Sequence, residues 1–240
     1  MTDPTTDSSL RRTARIAGFT FLFIVISYSL SWIFVYSRLI AGGNVSAIAS
    51  NILANQALFR IGIASDLLIV VSGIVLTVAL YIILKPVNRN LALFALCLKM
   101  ADAVLAAVTV SLSFLALQML TGETFLTAGN PEQVRDLVGL FLSLHATAAT
   151  IPLVFTSLGF IVFFYLFFKS KYIPGILAGF GIFSYALLLL YSFVSILGAK
   201  PATALLGNFD LICFAPSCLF ELTIGLWLLL KGVNVRQELK

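Results

Sequence analysis

The stretch from Asn90 to Leu120 constrains this chain most. It is apolar and long enough to cross a bilayer, yet it carries Lys99 and Asp102 near its middle. A charge at the bilayer centre costs about 2.5–3.5 kcal/mol on insertion scales. Each Leu, Val or Phe returns only about 0.3–0.6 kcal/mol. Such a helix inserts, but its charged groups must turn away from lipid. Other helices therefore have to be assembled around it.

The rest of the chain supplies them. Of its 240 residues 60% are hydrophobic and 10% charged, against about 25% charged in an ordinary soluble domain. The net charge of +5 does not point to nucleic acid, because the basic residues stand singly or in pairs at the ends of apolar runs. Cys97, Cys213 and Cys218 all lie within apolar segments and read as small core residues, not as a disulfide or metal set.

Residues 1–15 read as a disordered cytoplasmic tail ending in Arg11, Arg12 and Arg15. Ile16 to Tyr36 is a first span, too long for the apolar core of a cleavable signal, which runs about 7–15 residues. Asn44 to Phe59 differs in kind. Val45, Ile48, Ala49, Ile52 and Leu53 recur at helical spacing among polar residues. This predicts an amphipathic interfacial helix capped by Asn44, either covering the mouth of the bundle or serving as a surface connector.

A second span runs from Arg60 to Leu84, and the basic turn at Pro86 leads into the third. A Gly/Thr/Asn/Pro loop follows, from Thr121 to Glu132. Leu137 to Phe168 is 32 residues, about 48 Å as straight helix against a hydrocarbon core of about 30 Å. Pro152 is its expected kink. The fifth span, Ile173 to Leu197, carries Gly175 and Gly179 at GxxxG spacing, and the sixth runs from Leu205 to Leu230.

With the N-terminus inside, ten basic residues fall in cytoplasmic segments and four (Arg38, Arg60, Arg135, Lys200) in outer ones. That asymmetry predicts six spans with both termini cytoplasmic. The expected fold is all-α: a polytopic six-transmembrane-helix bundle over residues 16–231, with one interfacial amphipathic helix and a cytoplasmic tail from 232 to 240.

Helical spacing gathers the intramembrane polar residues into stripes. The third span carries Lys99, Asp102, Ala106, Thr109 and Ser113; the sixth, Asp210, Phe214, Ser217, Glu221 and Gly225; the second, Asp66, Val70, Gly73 and Thr77. At about 1.5 Å per residue, Lys99 and Glu221 both come near the midplane, which makes them the natural ion pair. Arg60, Asp66, Asp102, His145 and Asp210 would line a cavity opening outward. Against this stands a plainer reading, in which Lys99 and Asp102 neutralise each other three residues apart and Arg60 snorkels to headgroups. A lone histidine makes neither a zinc nor a haem site, so no metal and no cofactor is expected. No G-x-S-x-G, H-E-x-x-H, P-loop or G-x-G-x-x-G occurs.

Several segments together resemble a known family. They are Leu58-Phe59-Arg60 through Ser65-Asp66, the turn Leu84-Lys85-Pro86-Val87-Asn88, Leu98-Lys99-Met100-Ala101-Asp102-Ala103, Tyr172-Ile173-Pro174, and Glu221 to Val233. The chain is similar, from about Arg15 to Val233, to a bacterial multi-pass membrane family known as domain of unknown function 4386. That family more often has Arg then Glu where this chain has Lys99 and Asp102. The resemblance implies a prokaryotic plasma-membrane protein and supplies no activity.

Three functions fit these observations. The first is binding or transport of a small solute, ion or proton at the buried charges. The second is a membrane-embedded enzyme acting on a lipid or quinone, with Glu221 or Asp102 as acid/base. The third is a structural or partner subunit whose charges fix helix packing. The lipid bilayer is the one partner all three require.

Overall fold

A computed structural model of the chain describes residues 4–40, 45–122, 137, 139–141, 150–198 and 209–234. Among these there is no strand. Helix α1 (Pro4–Ser31) runs through a π-helical turn (Trp32–Tyr36) into the short α2 (Ser37–Leu39). Then follow α3 (Val45–Ala54), α4 (Gln56–Leu84), α5 (Arg89–Thr121), α6 (Thr150–Ser170), α7 (Gly175–Ile196) and α8 (Phe209–Leu230). Six segments are long and apolar enough to cross a membrane: Ser8–Leu39, α4, α5, α6, α7 and α8. The all-α six-helix expectation holds, and the chain is a multi-pass integral membrane protein.

Helix α1 begins well before the expected first span. Its basic segment is helical from Pro4, not irregular, because Leu10, Ala14 and Ala17 are buried at helical spacing while Arg11, Arg12 and Arg15 take the other faces.

Asn55 divides the segment expected as one amphipathic helix. It ends α3 by donating its N–H to Asn51 O at 3.0 Å, and its own carbonyl accepts from Phe59 N at 3.1 Å in α4. Ala49 and Ile52 form the buried face of α3, whereas Leu53 is exposed. The Asn44 cap lies outside the described residues. At the next turn Asn88 caps α5, its Oδ1 accepting from Leu91 N at 3.0 Å. Pro152 lies in α6 close to where the described residues resume at Thr150; the Ala148 carbonyl that the expected kink would free lies outside the described residues.

The helices pack as two compact units. The first comprises Met1–Val25, Ser72–Ala103 and Thr150–Lys240. In it α6 lies against α7 and α7 against α8. Its core is built on Phe21, Phe160, Phe164, Phe167, Tyr185 and Phe220. Phe164 meets Phe220 edge-on at 4.6 Å between centroids and Phe21 meets Phe160 at 5.7 Å, arrangements worth about 0.5–1.5 kcal/mol each beyond burial.

Helices α1 and α8 cross backbone to backbone in the first unit. A Cβ on Gly18 would lie 2.7 Å from Gly225 O, and one on Gly225 would lie 2.8 Å from Leu22 Cγ. Small residues permit such approach where lipid offers no hydrophobic drive for helix association. The GxxxG pair does not serve this purpose. Gly179 has nothing within 4 Å of a built Cβ, and Gly175 has only the Phe168 ring at 3.7 Å.

The second unit comprises Ile26–Val71 and Val104–Ala149. Val35, Leu39, Ala49, Ile52, Phe59, Ala116, Leu117 and Leu120 form its core. Gly62 lies under Val35, 2.8 Å from its Cγ1 to a built Cβ, so α4 packs directly on the π-helical turn.

Candidate functional site

In the first unit Lys99 is only 6% exposed. It belongs to a stripe on α5 that also buries Ala92, Ala95, Thr109 and Ser113, so the expected polar face of this helix does turn inward. A glycine on α6 makes room for the side chain: a Cβ at Gly159 would be 2.8 Å from Lys99 Cγ and 3.4 Å from Ala95 O. The lysine stem therefore lies flat on the α6 backbone, and its ammonium reaches a further turn along.

Three partners receive that ammonium. Nζ lies 2.5 Å from Asp102 Oδ2, donates to Thr156 Oγ1 at 3.0 Å, and sits 4.5 Å from the centroid of Phe160. An ammonium has three donors, and here a carboxylate, a hydroxyl and a π face meet them. Removing water from a charge costs several kcal/mol, which only such close partners offset. The ion pair is thus Lys99–Asp102, not the expected Lys99–Glu221. The pairing three residues apart on one helix needs no other crossing to be in register, and it prevails.

Glu221 on α8 has a different partner. Tyr185 Oη on α7 donates to Glu221 Oε1 at 2.7 Å. Tyr185 is fully buried and stacks on Phe160 with centroids 4.5 Å apart. One aromatic ring therefore touches both assemblies: Lys99 at its face, and the phenol that holds Glu221. Lys99 also lies within electrostatic reach of Glu221, and Asp102 of Tyr185. Beside them Ser184 Oγ lies 2.8 Å from Phe180 O and 3.3 Å from Pro216 O, which links α7 to α8 at the proline.

In the second unit Tyr36 Oη donates to Asp66 Oδ2. The π-helical turn that ends at Tyr36 shifts the helical register there, a feature frequent at functional sites. The same unit holds an open cleft of about 510 Å³ between α4 and α5, with Arg60 and Ser111 and no carboxylate among the described residues that line it.

The remaining candidates are dispersed. Asp210 is exposed on α8 beside Tyr191. His145 lies outside the described residues. Of the cysteines only Cys213 is buried; Cys97 and Cys218 are exposed on outward helix faces, so the expectation of core residues holds for one of the three. Among the described residues no cluster of His, Cys, Asp or Glu could hold a metal ion.

Sequence reasoning missed Thr156, Gly159, Phe160 and Tyr185. Their trace is slight: Thr156-Ser157-Leu158-Gly159 is a small, polar interruption in a Phe-rich span, and Ser184-Tyr185 is a polar pair inside another. A family model described as a domain of unknown function (DUF4386) matches residues 16–232. The chain matches no curated protein and no solved structure.

Proposed function

Since the chain belongs to the DUF4386 family, whose description carries no activity, we propose from its chemistry that it binds or transports a small solute, ion or proton. The site of action is the buried set Lys99, Asp102, Thr156, Tyr185 and Glu221. One observation carries the reading: Phe160 lies against both the Lys99 ammonium and Tyr185, the phenol that donates to Glu221. A device for neutralising Lys99 needs Asp102 alone. Glu221 is a second intramembrane carboxylate, and among the described residues no cation stands within ion-pair distance of it. Intramembrane ionisable groups of this kind mark ion and proton pathways.

A proton or a small cation is the ligand whose chemistry complements Glu221. Pro216, five residues before it on α8, gives that helix a point at which to flex. The excess of basic residues in alternate loops supports a cell-membrane location with both termini cytoplasmic.

The test is flux into vesicles. Purified protein is reconstituted around a trapped pH indicator and a pH or cation gradient is imposed. Wild type is expected to dissipate the gradient faster than empty vesicles, and Glu221→Gln to abolish the difference while remaining folded by circular dichroism. Wild-type vesicles that leak no faster than empty ones under either gradient overturn the reading.

A further inference from the structure

The cleft of the second unit is a site of its own, independent of the buried pairs. Its walls are Ile63 and Leu67 on α4 and Val110, Phe114 and Leu117 on α5. Almost all of this lining is apolar. Among the described residues of the lining the one with charge is Arg60, the fifth residue of α4, which is exposed. Among the described residues Arg60 has no acidic partner within ion-pair distance.

Three features specify an occupant. First, the charge stands at one end of the cleft. Arg60 is close to the start of α4 and Leu117 is close to the end of α5, so this end lies where both helices leave the membrane. Second, the length suits one leaflet: Ala107 to Leu117 on α5 rises about 15 Å, half of a hydrocarbon core of about 30 Å. Third, the volume of about 510 Å³ falls in the range of ligand pockets, about 300–1,000 Å³. A guanidinium at headgroup depth with an apolar channel running inward from it complements an anionic head on an acyl chain.

We propose that this cleft holds one anionic phospholipid of the bilayer, its phosphate on Arg60 and one acyl chain along α4 and α5. Arg60 sets the headgroup preference; Ala64 and Ala107, small residues that line the cleft, leave the channel open for the chain.

Native mass spectrometry of the full chain released from mixed phosphatidylglycerol and phosphatidylethanolamine vesicles tests this. Wild type is expected to retain one phosphatidylglycerol in preference to phosphatidylethanolamine. Arg60→Gln should reduce that preference about tenfold, the value of one charge-assisted hydrogen bond. Ala64→Phe and Ala107→Phe should remove the retained lipid altogether, with helical content and monodispersity confirming the fold. Retention without headgroup preference in wild type overturns the proposal. So does retention that Arg60→Gln leaves unchanged but the phenylalanines abolish, which assigns the cleft to a neutral amphiphile. Retention unaffected by any of the three variants makes the lipid merely annular and equally overturns it.

Discussion

Gly159 and Lys99 are in contact along the whole reach of the lysine stem: a methyl group at position 159 would stand 2.8 Å from Lys99 Cγ and 3.1 Å from Cδ. Gly159→Ala is therefore expected to push the ammonium off Thr156 and Phe160, at a cost of about 1–3 kcal/mol for overpacking. Thermal unfolding in detergent measures this. Because the clash is with a side chain, Lys99→Ala should largely remove the penalty of Gly159→Ala in a double-mutant cycle. Additive losses would show that the glycine serves the backbone instead.

Asp102→Asn leaves the buried ammonium without its counter-charge. Loss of one partner of a buried pair costs about 3–5 kcal/mol. Joint replacement, Lys99→Met with Asp102→Leu, removes both desolvation penalties and is expected to be near neutral or stabilising for the fold. If the buried set is the working site, the double variant stays folded and loses flux. Denaturant unfolding beside the vesicle assay separates the two quantities.

Tyr185→Phe deletes the hydroxyl that donates to Glu221 Oε1 and leaves the ring stacked on Phe160. The cost to stability is expected to be about 1–3 kcal/mol for a desolvated acceptor left without its donor. Glu221→Gln retains an amide oxygen for the phenol and should cost less. The two variants thus separate by stability in one order, while flux, which needs the carboxylate, falls further in Glu221→Gln. Unfolding midpoints that fall in the opposite order would refute the assignment of the phenol as donor.

Glycines of equal prominence in the sequence should differ sharply on substitution. Gly225→Leu and Gly18→Leu force α1 and α8 apart and are expected to abolish the folded state or lower its melting point steeply. Gly179→Leu meets open space and should be tolerated within about 0.5 kcal/mol. Expression level and size-exclusion profile in detergent distinguish the three.

Much of the architecture was legible because lipid imposes one rule, that backbone polar groups be satisfied within the segment. Six apolar runs therefore announced six helices, and the spacing of Lys99, Thr109 and Ser113 announced which face of α5 turns inward. Partner choice was legible only in part: the pairing of Lys99 with Asp102 stood as the plainer reading, while the tyrosine partner of Glu221 left little sign. Depth alone favoured Lys99 with Glu221, since both lie near the midplane, but depth says nothing of azimuth. Asp102, three residues along the same helix, meets Lys99 whatever the other helices do, whereas the phenol of Tyr185 meets Glu221 only through the way α7 and α8 rotate against one another. The same limit applies to the glycines. A GxxxG spacing marks a smooth helix surface, whereas the actual crossing is set by two single glycines more than two hundred positions apart, Gly18 and Gly225, which no local pattern connects.

The Lys99–Asp102 pair also bears on how the protein is made. Both charges ride on one helix, three residues apart, so this segment carries its own counter-ion when it leaves the translocon. It can enter the lipid as a compensated unit before Thr156 has been synthesised. Glu221, by contrast, follows Tyr185 in the chain and meets it from the next helix. A lysine paired in this way needs no distant partner at any stage of insertion.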